Sequence, residues 1–172
     1  MTRSYRHPEP LAEHHDLSRF RCRSSEQTDW LLRYARQSAA TGTTRVFVVS
    51  EHGANHVIAY YAWCMAQVHA GAAPARLRKG GGRYPQPVAL LARLAVDVDH
   101  EGNGLGAGLL QDVFARLVVL SDDIGCRGLL VHAESQQARA SYLHLVPEFE
   151  PSPTDDLHLV LLMKDLRRTL GS

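Results

Sequence analysis

The sequence predicts an α/β chain: a mixed, mostly antiparallel sheet flanked by helices, with a parallel strand–helix–strand unit at its centre. Three observations predict it. Apolar runs and amphipathic stretches follow one another as helix, hairpin, strand, helix, strand, helix, strand. The runs at 45–50 and 57–65 are joined by His52-Gly53-Ala54-Asn55, turn chemistry that sends the chain back antiparallel. From Val88 to Ala133 a strand, a glycine-rich turn, a helix and a second strand form a unit whose crossover is right-handed and parallel. The hairpin ahead of that unit makes the sheet mixed, which argues against a doubly wound dinucleotide-binding fold.

Each element has a local reason. Residues 1–16 are polar, which predicts a loosely held leader, and they contain no apolar signal segment. Thr28 or Asp29 can cap a helix that carries Trp30, Leu31, Tyr34 and Ala35 on one face and ends near Ser38. Arg45 to Ser50 is β-branched and apolar, a buried strand, and Val57 to Met65 is its partner. Ala70 to Pro87 is the longest irregular segment, with Gly80-Gly81-Gly82 and Pro74, Pro85 and Pro87; loops of such length are functional or disordered. Val88 to Val96 is the central strand. The helix from Ala107 to Leu120 has its apolar stripe in Leu109, Val113, Leu117 and Leu120, led by Leu105. Gly128 to Ala133 is another buried strand. Gln136 to Leu145 is a short helix stopped by Pro147, whose ring cannot continue the backbone bonding. Leu157 to Met163 closes the sheet, preceded by a short strand at 148–150. At 172 residues and 45% hydrophobic, the chain suits one domain, 1–172. No apolar run is long enough to span a bilayer.

Charge is distributed unevenly. Up to Val96 there are 13 Lys and Arg against 6 Asp and Glu; from Asp97 onward there are 6 against 12. No acidic residue lies between Glu51 and Asp97, whereas Arg76, Arg78, Lys79, Arg83 and Arg93 do. Such a span suits a polyanionic partner, or else it is a solvated basic loop. Glycines at 102, 104 and 106 open the helix that follows, and its first N–H groups point back into the turn. That is a cradle for a phosphate or diphosphate, aided by the helix dipole. Cys22, Cys64 and Cys126 are odd in number and far apart, which predicts free thiols in a cytoplasmic protein. The ten histidines are scattered and no metal site is expected.

The stretch Glu101-Gly102-Asn103-Gly104-Leu105-Gly106 resembles the Gln/Arg-x-x-Gly-x-Gly/Ala signature of the GNAT (GCN5-related) N-acetyltransferases, with Glu101 departing from it. A narrower resemblance runs from Pro10 to Leu166. It rests on Asp16-Leu17-Ser18, Trp30-Leu31, Thr44 to Val49, Arg76-Leu77-Arg78, Leu91 to Asp97 and Phe149 to Pro153. These are similar to the GNAT-type toxins of bacterial toxin–antitoxin modules. The resemblance implies the GNAT fold, acetyl-CoA as cosubstrate, and acetylation of the α-amino group of aminoacyl-tRNA. It also implies a ribbon-helix-helix antitoxin as partner and a homodimer. Leu145-Val146-Pro147-Glu148 stands where relatives commonly have a Gly-Phe turn.

On that resemblance Gly102, Asn103, Gly104, Leu105, Gly106 and Ala107 hold the coenzyme diphosphate. A backbone N–H near Leu94, Ala95 and Val96 faces the developing oxyanion, and Tyr142 protonates the leaving thiolate. A phenol of ordinary pKa about 10 keeps its proton at neutral pH, so it can serve as that acid. The residues alone favour a plain core role for Tyr142, with its hydroxyl bonded at the edge. An α-amine titrates at about 7.7–8.0 and is partly neutral already, so little is asked of a base; His132 or Glu134 could act through water. Arg76, Arg78, Lys79, Arg83 and Arg93 would grip tRNA phosphates. For Arg93 a structural pair with a carboxylate is the alternative, and Trp30 and Phe20 read as core. Two other functions stay open: acetylation of a small amine or protein N-terminus, and a regulator without turnover.

Overall fold

A computed structural model describes residues 3–171. Among them seven strands and six helices alternate: β1 Glu9–Pro10, α1 Ser25–Arg33, α2 Ala35–Ala40, β2 Arg45–Ser50, β3 Val57–Val68, α3 Ala75–Arg78, β4 Gln86–Val96, α4 Leu105–Leu120, β5 Gly128–His132, α5 Gln136–Leu145, β6 Glu150–Pro151, β7 His158–Leu162 and α6 Met163–Leu170. The strand order is β1-β2-β3-β4-β5-β7-β6. The expected hairpin is β2 and β3, antiparallel from Arg45↔Trp63 to Ser50↔Val57, with a bulge at Val49/Ser50. The expected parallel pair is β4 and β5, in register from Ala89↔Leu129 to Leu91↔Val131. Beyond Leu91 the strand β4 runs on to Val96.

Contacts gather in two compact units. One takes the residues up to Cys64 together with Ala92–Asp112; the other takes Met65–Leu91 and the residues from Val113 onward. In the first, Leu31 of α1 and Ala35 of α2 pack on Val46, Val48, Val57, Tyr60 and Ala62 of the hairpin, with Phe20 and Ala95. Burying a side chain such as Leu31 contributes about 1.5–3 kcal/mol. In the second, Leu77 of α3 packs with Val68, Val88, Leu130 and Val160. There β5 pairs antiparallel with β7 from Gly128↔Leu162 to His132↔His158. A Cβ on Gly128 would stand 2.5 Å from the Leu161 carbonyl oxygen, so only glycine fits this strand.

Three expectations need correction. The leader is held as an edge rather than loose: Leu11 N–H donates to the Val46 carbonyl at 2.9 Å and Arg6 N–H to Ser50 at 2.8 Å. Glu9 and Pro10 thereby extend the sheet beside β2, and Pro10, with no N–H to give, suits an edge. Residues 1 and 2 of that leader lie outside the described residues. The first helix begins four residues early, because Ser24 rather than Thr28 caps it, accepting from Gln27 N–H. Thr28 instead donates to the Ser24 carbonyl and accepts from Cys22 N–H, both at 3.0 Å. Finally, the expected closing strand ends at Leu162 and gives way to α6, which the sequence reading missed. No helix among the described residues is long and apolar enough to cross a membrane.

Candidate active site

The glycine turn is built from Asp97. Its buried carboxylate accepts from Asp99 N–H and from Arg21 N–H, both at 2.9 Å, and its carbonyl accepts from His100 N–H. This winds Val98–His100 into a single 3-10 turn and delivers the chain to Gly102. Gly102 (φ +80) and Gly104 (φ +77) take the left-handed conformation that other residues avoid. The Asn103 side chain donates to the His100 carbonyl at 3.0 Å and closes the turn. The first α4 bond is Gly108 N–H to the Gly104 carbonyl, 3.0 Å. The N–H groups of Leu105, Gly106 and Ala107 therefore stand ahead of the helix's own bonding. An ideal Cβ on Gly102, Gly104 or Gly106 meets nothing within 4 Å, so the space over the turn is open. Donors, dipole and room together fit a diphosphate.

Glu101, the residue that breaks the pattern, does not face that space as a bare charge. Arg23 holds it from the side, Nε to Oε1 at 2.8 Å and Nη2 to Oε2 at 2.9 Å. The guanidinium keeps the Glu101 carboxyl below the usual range.

Upstream of the turn, Ala95 is buried in the core while Leu94 and Val96 are half-buried. Val96 ends β4, and Asp97 N–H donates to the Ile58 carbonyl at 2.8 Å.

Tyr142 lies on α5, which Ser135 caps by accepting from Ala138 N–H at 3.1 Å. The helix ends where Val146 N–H returns to the Tyr142 carbonyl, just ahead of Pro147. The ring is half-buried and edge-on to Phe149, with 6.0 Å between centroids. Burial, and then the Glu134 charge, push the phenol well above its ordinary value. It holds its proton across the whole working pH range. At the end of β5, His132 stacks on His158 at 3.8 Å. Partial burial, and then the His158 ring, lower the His132 imidazole.

The basic residues divide into two groups. Arg76 and Arg93 are held by carboxylates from distant parts of the chain, which local charge counting could not reveal. Arg76 Nη1 donates to buried Asp165 at 2.8 Å and to Glu150 at 2.9 Å. Arg93 Nη1 donates to both Glu26 oxygens, at 2.6 and 2.7 Å, and its guanidinium lies 4.8 Å over the Trp30 ring. That is the structural pair raised as the alternative for Arg93. Arg78, Lys79 and Arg83 are exposed, and among the described residues none pairs with a carboxylate. Their loop is shaped by buried Gln86, whose amide donates to the Gly81 and Tyr84 carbonyls at 3.0 and 2.8 Å.

Glu9, His14 and His15 bring ligand atoms within 4.8 Å of one another. Ala12 N–H donates to His15 Nδ1, however, so Nε2 carries the hydrogen that is given to Glu9 at 2.8 Å. With both ring nitrogens committed, His15 has no lone pair to offer a metal.

No protein-family model matches the chain. It is 41% identical over 167 residues to a tRNA-acetylating toxin of Mycobacterium tuberculosis, covering 97% of this chain and 98% of that protein. The chain belongs to the GNAT-type tRNA-acetylating toxins. A probable toxin TacT of Sinorhizobium fredii is 26% identical over 170 residues, covering 95% of this chain and 94% of that protein. The fold is that of solved toxins too. A tyrosine-to-phenylalanine variant of KacT superposes with a TM-score of 0.87 at 21% identity, covering 96% of this chain and 98% of that one. AtaT complexed with acetyl-methionyl-tRNAfMet gives 0.86 at 23%, with the same coverage. An AtaT tyrosine-to-phenylalanine variant, bound to the C-terminus of the antitoxin AtaR and acetyl-CoA, gives 0.82 at 22%, covering 98% and 99%.

Sequence reasoning about this toxin's site missed Arg23 and Gln86. Arg23 had no local signal, since its partner is 78 residues away. Gln86 had one: a glutamine between Pro85 and Pro87, at the start of a buried strand, must satisfy its amide somewhere.

Proposed function

We propose that this protein is an acetyl-CoA-dependent N-acetyltransferase that acetylates the α-amino group of aminoacyl-tRNA and thereby blocks translation. The observation that carries the reading is the full-length 41% identity to a protein named a tRNA-acetylating toxin. The open glycine turn supports it. Leu105, Gly106 and Ala107 give their N–H groups to the diphosphate, with Gly102, Asn103 and Gly104 shaping the approach. A backbone N–H in Leu94–Val96 stabilises charge on the thioester oxygen. The α-amine nitrogen bonds to the acetyl carbon as the carbon–sulfur bond breaks, Tyr142 gives its proton to the departing sulfur, and the proton shed by the nitrogen passes to water, from which the phenolate is reprotonated. The amine, partly neutral near pH 7.7–8.0, needs little help in losing its proton.

Arg78, Lys79 and Arg83 grip the tRNA backbone, while Arg76 and Arg93 keep the structure around them in order. Replacing Arg78, Lys79 and Arg83 together with Gln should raise the KM for charged tRNA and flatten its dependence on salt, leaving the melting temperature in place. Arg76→Gln should do the reverse, lowering the melting temperature because buried Asp165 loses its closest cation. Thermal melts and KM at two salt concentrations separate the two. The reading extends to a ribbon-helix-helix antitoxin, a homodimer and a cytoplasmic setting. AtaT solved with the antitoxin AtaR, and KacTA solved with DNA, are the relatives that favour an antitoxin partner.

Incubation with acetyl-CoA and a full set of charged tRNAs should yield N-acetylated aminoacyl-tRNA, detected by mass spectrometry of the released aminoacyl group. No product with any charged tRNA overturns the proposal.

A further inference from the structure

A carboxylate next to an anion-binding turn is electrostatically misplaced, and the way the chain deals with Glu101 points to a further binding residue. Arg23 meets Glu101 through its Nε and Nη2 edge, in a bidentate pair. The pairing leaves the Nη1 edge turned away from the carboxylate. The segment that carries Arg23 is fixed on both sides. Ahead of it, Arg21 N–H donates to the Asp97 carboxylate, and the Arg21 carbonyl accepts from Val98 N–H at 2.9 Å. Next to it, Cys22 N–H donates to Thr28 Oγ1 and its thiol to the Ser24 carbonyl, tying the segment to the cap of α1. Arg23 is thus stationed beside the turn by the same aspartate that shapes the turn.

Stability does not explain this arrangement. Arg23 is largely exposed, and exposed ion pairs stabilise a fold little. Orientation does. A guanidinium gripped along one edge is pre-organised, and its other edge offers N–H groups in the geometry that phosphate oxygens accept. The pair biases the side chain toward this orientation before a ligand arrives, which lowers the ordering cost that ligand binding must supply.

We propose that Arg23 is a phosphate-binding residue for the coenzyme, presented at the mouth of the glycine turn by Glu101. The inference rests on the reading that the turn holds the coenzyme diphosphate. The anion class is an organic diphosphate or phosphomonoester, bound by the Nη1 edge of the guanidinium. Glu101 is then a positioning residue. Its charge is neutralised by the arginine that it orients.

The test is a double-mutant cycle on the full chain, with acetyl-CoA dissociation constants from calorimetry and steady-state KM and kcat for acetyl-CoA. Arg23→Gln should weaken acetyl-CoA on the order of tenfold, in both the dissociation constant and KM, with kcat retained. Glu101→Gln keeps the cation and loses its orientation, so it should weaken binding by only a few-fold. The double variant Arg23→Gln/Glu101→Gln should bind about as poorly as Arg23→Gln alone. Return of the double variant to wild-type affinity would show that Arg23 only masks Glu101, and would overturn the proposal. So would an unchanged affinity in Arg23→Gln. Gly104→Val tests the underlying reading separately. If it removes acetyl-CoA binding while Arg23→Gln does not, the turn holds the coenzyme and Arg23 has no part in it. If Gly104→Val leaves affinity intact, the diphosphate reading itself has failed.

Discussion

Tyr142→Phe should lower kcat by about 10²- to 10³-fold, while the acetyl-CoA dissociation constant and the KM for charged tRNA change little. The substitution removes one hydroxyl and keeps the ring that packs edge-on against Phe149. The helix cap at Ser135 and the stop at Pro147 are untouched, so the melting temperature should hold. The pH profile adds a second readout. A phenol raised by burial stays protonated past its ordinary value of about 10, so the wild-type rate should show no alkaline fall below that point. The rising limb, set by the α-amine near pH 7.7–8.0, should persist in the variant at its lower plateau. Loss of less than threefold in kcat would assign the proton to another group.

The parts of this chain legible in advance are those whose physics is local. Helix α5 reads off its bounds because the apolar spacing within its ten residues and Pro147 just beyond them are both local signals. The strand, glycine turn and α4 were legible for the same reason, and α4 starts two residues before Ala107 only because Leu105 and Gly106 already have helical backbone. Elements defined by a distant partner were not legible. The pairing of β1 depends on the free edge of β2, which polar composition at 1–16 does not advertise. Helix α6 follows the last strand without a break, and its eight residues are too few to establish a period of their own. The same divide runs through the site. The left-handed glycines 102 and 104 stand out in the sequence because their turn is local. Arg76 and Arg93 looked like free cations because Asp165, Glu150 and Glu26 are remote in sequence and near only in space. Charge patterning along a chain counts charges without their partners, so it overstates how many are available to a polyanion.

Gly104→Val should weaken acetyl-CoA by about a hundredfold, whereas Gly106→Ala should stay within about threefold of wild type. The two positions are two residues apart and differ in backbone. Gly104 sits at φ +77, where a β-branched residue is strained by roughly 1–2 kcal/mol and would pull the turn toward another conformation. The carbonyl of Gly104 takes the first α4 hydrogen bond, so a shift there re-aims the N–H groups of Leu105, Gly106 and Ala107 together. Gly106 lies inside α4 with ordinary φ, where alanine is the better helix former, and the signature that this turn resembles accepts Gly or Ala. A Cβ at either position meets nothing within 4 Å, so Gly106→Ala clashes with nothing within the protein. A loss of affinity confined to Gly104→Val therefore reports on the left-handed backbone that aims the N–H groups, and not on a steric clash at Cβ. Calorimetry with acetyl-CoA, run beside thermal melts, reads both quantities. Gly104→Val should lose affinity far out of proportion to its few degrees of lowered melting temperature. Equal affinities in the two variants would mean that the turn's left-handed glycine serves only to start a helix.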